Sequence, residues 1–454
     1  MRIAVVGGGW AGLAAAVEAV ELGHQVTLFE MSGSLGGRAR GVVAAGQAFD
    51  NGQHILIGAY SATLGLLKAV GIDVNDALLR MPLLIRYPDG SGLQMQRGSP
   101  GPALAKAVLS YRGWSWRERL SLLAAASGWS LRRFECSPSL TVAQLTRRLP
   151  DTVRRDFIDP LCIAALNTPS SLASARVFLR VLHDALFSGP GSADLLLPRR
   201  GLDALLPSAA AVWLKARGAD VRMGVRVGAV HEPVVEDSVG AATASSLGGD
   251  ALSAGWMVDG ERFDAVVLAC TAAEASRLTR SIAPDWSAMS SGLRYEPIVT
   301  VYLRAEGTRL AAPMLALHCD ATQPAQFVFD LGQLTGQHGM FAMVVSGASD
   351  WIKGGLPALA AAAVSQFEGV LGLGGRTPDP GSHATRARAP VHVIQTLSEK
   401  RATFLCTPGL MRPELSISPR LSAAGDYIDG RYPATLEGAV RSGQAAVRWL
   451  HERG

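Results

Sequence analysis

Arg2-Ile3-Ala4-Val5-Val6-Gly7-Gly8-Gly9-Trp10-Ala11-Gly12 is a short apolar run that stops on glycines and continues with Leu13, Val17 and Val20 at helical spacing. A second β-favouring run, residues 25–29, follows and ends on Glu30. Strand, glycine turn, helix and strand within about 30 residues make one βαβ unit. In that setting Gly7-x-Gly9-x-x-Gly12 has a physical reading. The first glycine permits a tight turn, the second lets a pyrophosphate approach the backbone, and the third lets helix and strand pack closely. The phosphate charge would face the helix N-terminus, where Trp10 and Ala11 stand. Glu30, 18 residues beyond Gly12, is placed to accept hydrogen bonds from a ribose diol.

This fingerprint serves both NAD and FAD, so the next residues matter. Ser34-Leu35-Gly36-Gly37-Arg38-Ala39-Arg40 resembles the second phosphate-contact motif of the amine oxidase and phytoene desaturase flavoprotein superfamily. The resemblance implies FAD, with amides of Gly36 and Gly37 meeting the diphosphate and the guanidinium of Arg38 pairing with it or approaching the isoalloxazine edge. Near the other end, Ala424-Gly425-Asp426-Tyr427 and then 433–443 look like the C-terminal flavin motif of that superfamily. There Gly425 forms the turn, Asp426 binds the ribityl chain, and a helix opening near Ala434 and Leu436 turns its positive end to the flavin N1/C2 edge. Val225-Arg226-Val227 resembles the strand whose backbone meets adenine, and 264–269 the buried return strand.

The fold expected is α/β: a Rossmann-type FAD-binding domain of the amine oxidase kind, interleaved with an α+β substrate domain and a helical subdomain. We read residues 1–80, 198–290 and 398–454 as the first domain, and 81–197 with 291–397 as the second, its helical part at 110–160. Helices are expected over 114–133, 142–166, 203–216 and 357–370, and strands near 220–230, 298–303, 326–331 and 341–346. The Gly/Ser/Ala-rich stretch 238–255 reads as a hairpin loop or tip.

The resemblance tightens at 49–60 (Phe-Asp-Asn-Gly-Gln-His-Ile-Leu-Ile-Gly-Ala-Tyr), 160–169, 194–202 and 399–404, which are similar to the squalene-associated FAD-dependent hydroxysqualene dehydroxylases of bacterial hopanoid and squalene synthesis. It implies an oxidoreductase that removes the allylic hydroxyl of hydroxysqualene as water and delivers hydride from reduced flavin N5 to the carbocation left behind. An acid must protonate the hydroxyl. His54 is the first candidate, Asp50 a second candidate or a helix cap, and Asn167 an orienter of the hydroxyl or a turn residue; Tyr295 and Tyr427 are lesser donors. The alternatives are an oxidative carotenoid or phytoene desaturase-like flavoenzyme and a non-catalytic flavin-dependent lipid-binding protein. An amine oxidase fits less well, since none of Lys68, Lys106, Lys215, Lys353 and Lys400 adjoins a flavin-contact segment. No second dinucleotide fingerprint accompanies the first, so the electron donor stays open: a separate reductase or a free reduced cofactor.

Composition agrees with a globular chain of two or three domains. The chain has 454 residues, 48% apolar and 18% charged, with 50 glycines that must sit mostly in loops. A net charge of +5 is small for this length and argues against nucleic-acid binding. The excess is localised. Residues 111–156 hold nine Arg and no Lys against Glu118, Glu135, Asp151 and Asp156, which accounts for all of it. Trp114, Trp116 and Trp129 lie in the same segment, where Arg on one face and Trp with Leu on the other would suit an anionic membrane surface. The five cysteines are never closer than 26 residues, which excludes CxxC sites and suggests reduced thiols. With neither a signal-peptide pattern nor a spanning segment at hand, the expected address is cytoplasmic, peripheral on the inner face of the cell membrane.

Overall fold

The computed structural model describes the chain except residues 45, 233–254, 373–375, 379–389 and 454, and gives 376–378 as backbone alone. The expected loop at 238–255 therefore lies, up to residue 254, outside the described residues. Two compact units emerge: Met1–Gly37 with Leu206–Leu293 and Met411–Gly454, and Arg38–Leu205 with Arg294–Leu410.

The first unit is built on strand β1 (Arg2–Val6), helix α1 (Trp10–Glu21) and strand β2 (Gln25–Glu30). Its six-stranded sheet runs Asp220–Met223, β2, β1, Ala265–Leu268, Leu421–Ala423, Ser416–Ser418. All pairings are parallel except the last. The core strands are nearly continuous Val, Ile, Leu and Ala because both faces are covered, one by α1 and the C-terminal helix and the other by a three-stranded sheet of Val230–His231, Trp256–Val258 and Glu261–Phe263, whose Phe263 packs edge-on to Phe29. Helix α1 is buried almost all round and lies against the C-terminal helix Leu436–His451. Glycine makes that approach possible: a Cβ on Gly443 would stand 2.1 Å from the Ala11 carbonyl oxygen. Arg448 Nε closes the seam by donating to Glu18 Oε1 at 2.6 Å. Gly443→Val is expected to lower stability by about 3 kcal/mol through overpacking; an unchanged urea midpoint in equilibrium unfolding would refute the tight-seam account.

The second unit has a five-stranded antiparallel sheet in the order Met314–Ala316, Phe327–Asp330, Met340–Val345, Tyr295–Arg304, His392–Phe404. Alternation along Tyr295–Arg304 sends Val299, Val301 and Leu303 into a core with Phe341, Met343 and the helix Leu356–Gly372. Tyr302 points the other way, into a larger core shared with the helical part around Trp114, Phe178 and Leu179.

Several expected boundaries shift for local reasons. Residues 38–80 belong to the second unit, because strand Leu56–Ile57 and strand Leu78–Met81 both pair with Leu195–Pro198. Residues 198–205 and 398–410 go with them, and 291–293 with the first unit. The helix expected over 203–216 divides into Leu202–Leu205 and Pro207–Lys215, since Pro207 has no N–H to continue the ladder. That expected over 142–166 becomes Val142–Leu145, Asp151–Val153, a wide turn at Arg154–Ile158 and Asp159–Leu166. The wide turn falls just before Pro160, whose ring would crowd the preceding turn of a regular helix. The helix expected over 114–133 is Trp116–Leu131, opened by a capping box between Ser115 and Glu118. Trp114 precedes it and is buried, its indole Nε1 donating to Asp156 Oδ2 at 3.2 Å. Arginine and tryptophan are therefore not sorted to opposite faces as expected.

Candidate functional site: a glycine cradle and a half-buried carboxyl

In the first unit, β1 ends at Val6 and the chain turns through Gly7, whose φ of +113° suits glycine alone. A Cβ on Gly7 would meet the Ala269 carbonyl oxygen at 2.6 Å, and one on Gly12 would meet the Gly7 oxygen at 1.8 Å. These two glycines serve the fold. Gly9 differs: a Cβ there would find only the Gly37 Cα, at 3.8 Å, so the space beside it is open on the ligand side. Gly9 is also the N-cap of α1, with no side-chain cap and no acid in the first turn. First-turn N–H groups have no acceptor inside their own helix, and the N-terminal end of a helix favours negative charge.

The second glycine pair completes the cradle. Gly36 N donates to the Gly8 oxygen at 2.8 Å, Gly9 and Gly36 form a parallel bridge, and Gly37 has φ +60°. Glu30 is buried at the end of β2, its Oε2 accepting from Gly8 N and its Oε1 from Ser32 N, both at 2.7 Å. Each oxygen keeps a further lone pair, so the carboxylate can also accept a sugar hydroxyl. Near the C-terminus Gly425 N donates to Ser442 Oγ at 2.8 Å, Asp426 is buried, and Ala434 takes a left-handed φ of +58°. The helix starts at Leu436, with Thr435 Oγ1 capping Gly438 N at 3.0 Å. Open Gly9, the doubled glycines, an uncapped helix start and a buried acid fit the diphosphate and ribose of FAD. Once bound, FAD would supply hydride chemistry.

Two further residues expected to meet the cofactor have protein partners of their own. Val227 is not in a strand; the strand stops at Met223, and the Val227 and Gly228 carbonyls accept from Arg277 Nη2 and Nη1, each at 2.7 Å. Arg38 belongs to the second unit, where Nη1 donates to the Ala402 oxygen at 2.8 Å. Arg277 was invisible in the sequence because nothing local marks its reach.

The second unit holds the acid candidates. Asp50 ends the hairpin Gly41–Ala44 with Gln47–Asp50. Its Oδ1 accepts from Leu202 N at 2.8 Å, which caps the short helix Leu202–Leu205, and its carbonyl accepts from Tyr302 Oη at 2.7 Å. Among the described residues no other group bonds the carboxyl. Burial, opposed by the Leu202 N–H and reinforced by Asp203, pushes the Asp50 carboxyl up to about 6. A Cβ on Gly201 would meet Asp203 Oδ1 at 2.9 Å and Asp50 Oδ1 at 3.6 Å, so the two acids converge on that glycine.

His54 is revised as the first choice of acid. Part of its surface is open, yet the ring is enclosed by protein; burial, with the nearby Arg38 charge, lowers it to about 4 against a hydrogen bond to the Asn51 backbone. The imidazole is neutral at physiological pH. Asn167 also has another task. It ends Asp159–Leu166 in a left-handed conformation, and its amide donates to the Glu296 oxygen and Thr403 Oγ1 at 3.1 and 3.0 Å and accepts from Gly347 N at 2.8 Å. That stitch between loop and sheet occupies the group expected to orient a hydroxyl. Tyr427 is buried, its ring filling the space over Gly425.

Residues 10–450 match the flavin containing amine oxidoreductase family. The chain is similar to hydroxysqualene dehydroxylase of Rhodopseudomonas palustris, 27% identical over 98% of this chain and 96% of the relative. It is also similar to that of Sinorhizobium fredii, 23% identical over 98% and 97%. The 15-cis-phytoene desaturase of Synechococcus elongatus is 24% identical over 100% and 96%. Among solved structures, an oxidoreductase from Methanosarcina mazei has a TM-score of 0.68 at 17% identity, covering 99% of this chain and 100% of that one.

Proposed function

The chain belongs to the flavin containing amine oxidoreductases, and from that premise we propose that it is an FAD-dependent enzyme that reductively removes the hydroxyl of hydroxysqualene to give squalene. The observation that carries the reading is likeness over nearly the full length of two hydroxysqualene dehydroxylases, 96% and 97% of each. The glycine cradle of the first unit supports it.

The reaction needs one proton, two electrons and a dry site. Protonation of the allylic hydroxyl lets it leave as water, and hydride then closes the carbocation; bound FAD supplies that hydride after reduction by a donor outside the chain. We assign the proton to Asp50, whose raised carboxyl is partly protonated near neutral pH. His54, kept neutral, can accept or donate a hydrogen bond without adding a charge beside a developing cation. The substrate is a long isoprenoid that resides in bilayers, so we place the enzyme in the cytoplasm against the inner face of the membrane.

Product analysis tests the reading. Photoreduced, anaerobic enzyme given hydroxysqualene is expected to reoxidise its flavin and form squalene in equal amounts. Flavin that stays reduced overturns the reading, and oxidised enzyme that instead introduces double bonds into a polyene places the chain with the desaturases.

A further inference from the structure

The helix Trp116–Leu131 turns Leu122, Ala125 and Trp129 toward the helical core. Successive residues are about 100° apart, so Trp116, Leu120, Ala124, Ser127 and Leu131 share an arc of about 80° on the other side. All five are exposed, Trp116 at 65%, Leu120 at 56% and Leu131 at 86%. A solvated helix ordinarily carries charge there. This one is apolar on two opposite sides, and only the inner one is covered.

Trp116 is held in place. Arg119 donates from Nε to the Trp114 oxygen at 2.9 Å and from Nη1 to the Leu109 oxygen at 2.8 Å, and its guanidinium lies 4.8 Å from the Trp116 ring centre. The same contacts bring Leu109, 40% exposed at the end of Pro100–Ser110, beside it. The charges sit at the ends of the stripe. Arg112, Arg117, Arg132 and Arg133 are exposed, whereas Glu118 is engaged by Ser115 and Thr152. A second copy on this surface would bring like charges together; phosphate headgroups would neutralise them. The helix is too short to cross a bilayer, and none of the described helices is long and apolar enough to do so.

We propose that this stripe docks onto an anionic phospholipid bilayer, with Trp116, Leu120 and Leu131 at the headgroup boundary and Arg112, Arg117, Arg132 and Arg133 against lipid phosphates. It rests on the reading that the substrate is a bilayer-resident isoprenoid, and it names the surface through which the enzyme meets that pool. An interfacial helix of this kind binds by buried apolar area together with attraction to anionic lipid.

Flotation with phosphatidylglycerol/phosphatidylcholine vesicles tests it. The wild type is expected to float, binding at least about tenfold more weakly to phosphatidylcholine alone. Leu120→Glu/Leu131→Glu should lower anionic-vesicle affinity at least about tenfold and slow turnover of vesicle-borne hydroxysqualene, with detergent-dispersed substrate turned over as by wild type. A wild type that stays at the bottom, or a double variant that floats equally well, overturns the surface even if detergent turnover is normal. Light scattering that shows a dimer abolished by the double variant also overturns it, in favour of a second copy. Vesicle binding without turnover in either presentation defeats the substrate reading and leaves the surface standing.

Discussion

Gly9→Val is expected to yield a folded, colourless protein with no hydroxysqualene turnover. At Gly9 the backbone has φ −74° and ψ −179°, a region a β-branched residue adopts readily, and its Cβ would have one neighbour, 3.8 Å away. The apoprotein has room for the first added carbon. The diphosphate does not, because the open space beside Gly9 is the approach to the N–H groups at the start of α1. Affinity for FAD should fall roughly a thousandfold or more, about 4 kcal/mol, with the far-UV circular dichroism unchanged. Thermal stability should drop only by what bound FAD contributes, so apo wild type and apo variant should melt together. Gly12→Val is the contrasting case: its Cβ would stand 1.8 Å from the Gly7 oxygen, and the fold itself should fail. A Gly9→Val protein that purifies yellow with a full complement of FAD would remove the cradle from its assigned place.

The contrast between these glycines also explains how much could be read before the structure. Gly7, Gly9, Gly12, Gly36, Gly37 and Glu30 were all legible, because their constraint is local: a tight turn, a close approach and a helix start leave a short-range signature. The central strands of both sheets were legible in outline for the same reason, through their apolar runs, whereas Met314–Ala316, Ser416–Ser418 and the long strand His392–Phe404 were not expected. What escaped depends on partners far along the chain. The segment 38–80 joins the second unit because two of its strands, of two and four residues, pair with Leu195–Pro198, a pairing too short to mark either sequence. Asn167 reads as a turn residue with a free amide until Thr403, more than 200 positions away, takes it. His54 and Asp50 stand four residues apart in one motif, and nothing in that motif says that burial drives the imidazole down and the carboxyl up. Burial is set by the whole unit, and it decides which of the two can hold a proton.

Asp50→Asn is accordingly expected to lower turnover about a hundredfold, within the range of a lost general acid, with FAD still bound. Asn keeps an oxygen to accept the Leu202 N–H, so the cap on Leu202–Leu205 survives and the loss falls on the proton. His54→Gln should cost much less, because an imidazole lowered to about 4 carries almost no transferable charge at pH 7. The pH dependence follows from the same shift. An acid must be protonated to act, so the wild-type rate under saturating reductant should be highest below pH 6 and fall as pH rises through the raised Asp50 value of about 6. Asp203→Asn removes a smaller push than burial, and should move that midpoint modestly to lower pH. Stability carries the same sign. A carboxyl raised in the folded state binds its proton more tightly there than in the unfolded chain, so its contribution is present below the unfolded value and lost as pH climbs through about 6. Asp50→Asn removes that titration, and the variant should lose less stability than wild type between pH 5 and pH 7. A variant with full turnover, or a wild-type rate flat across that interval, would take the proton away from Asp50 and return it to the remaining donors of the second unit.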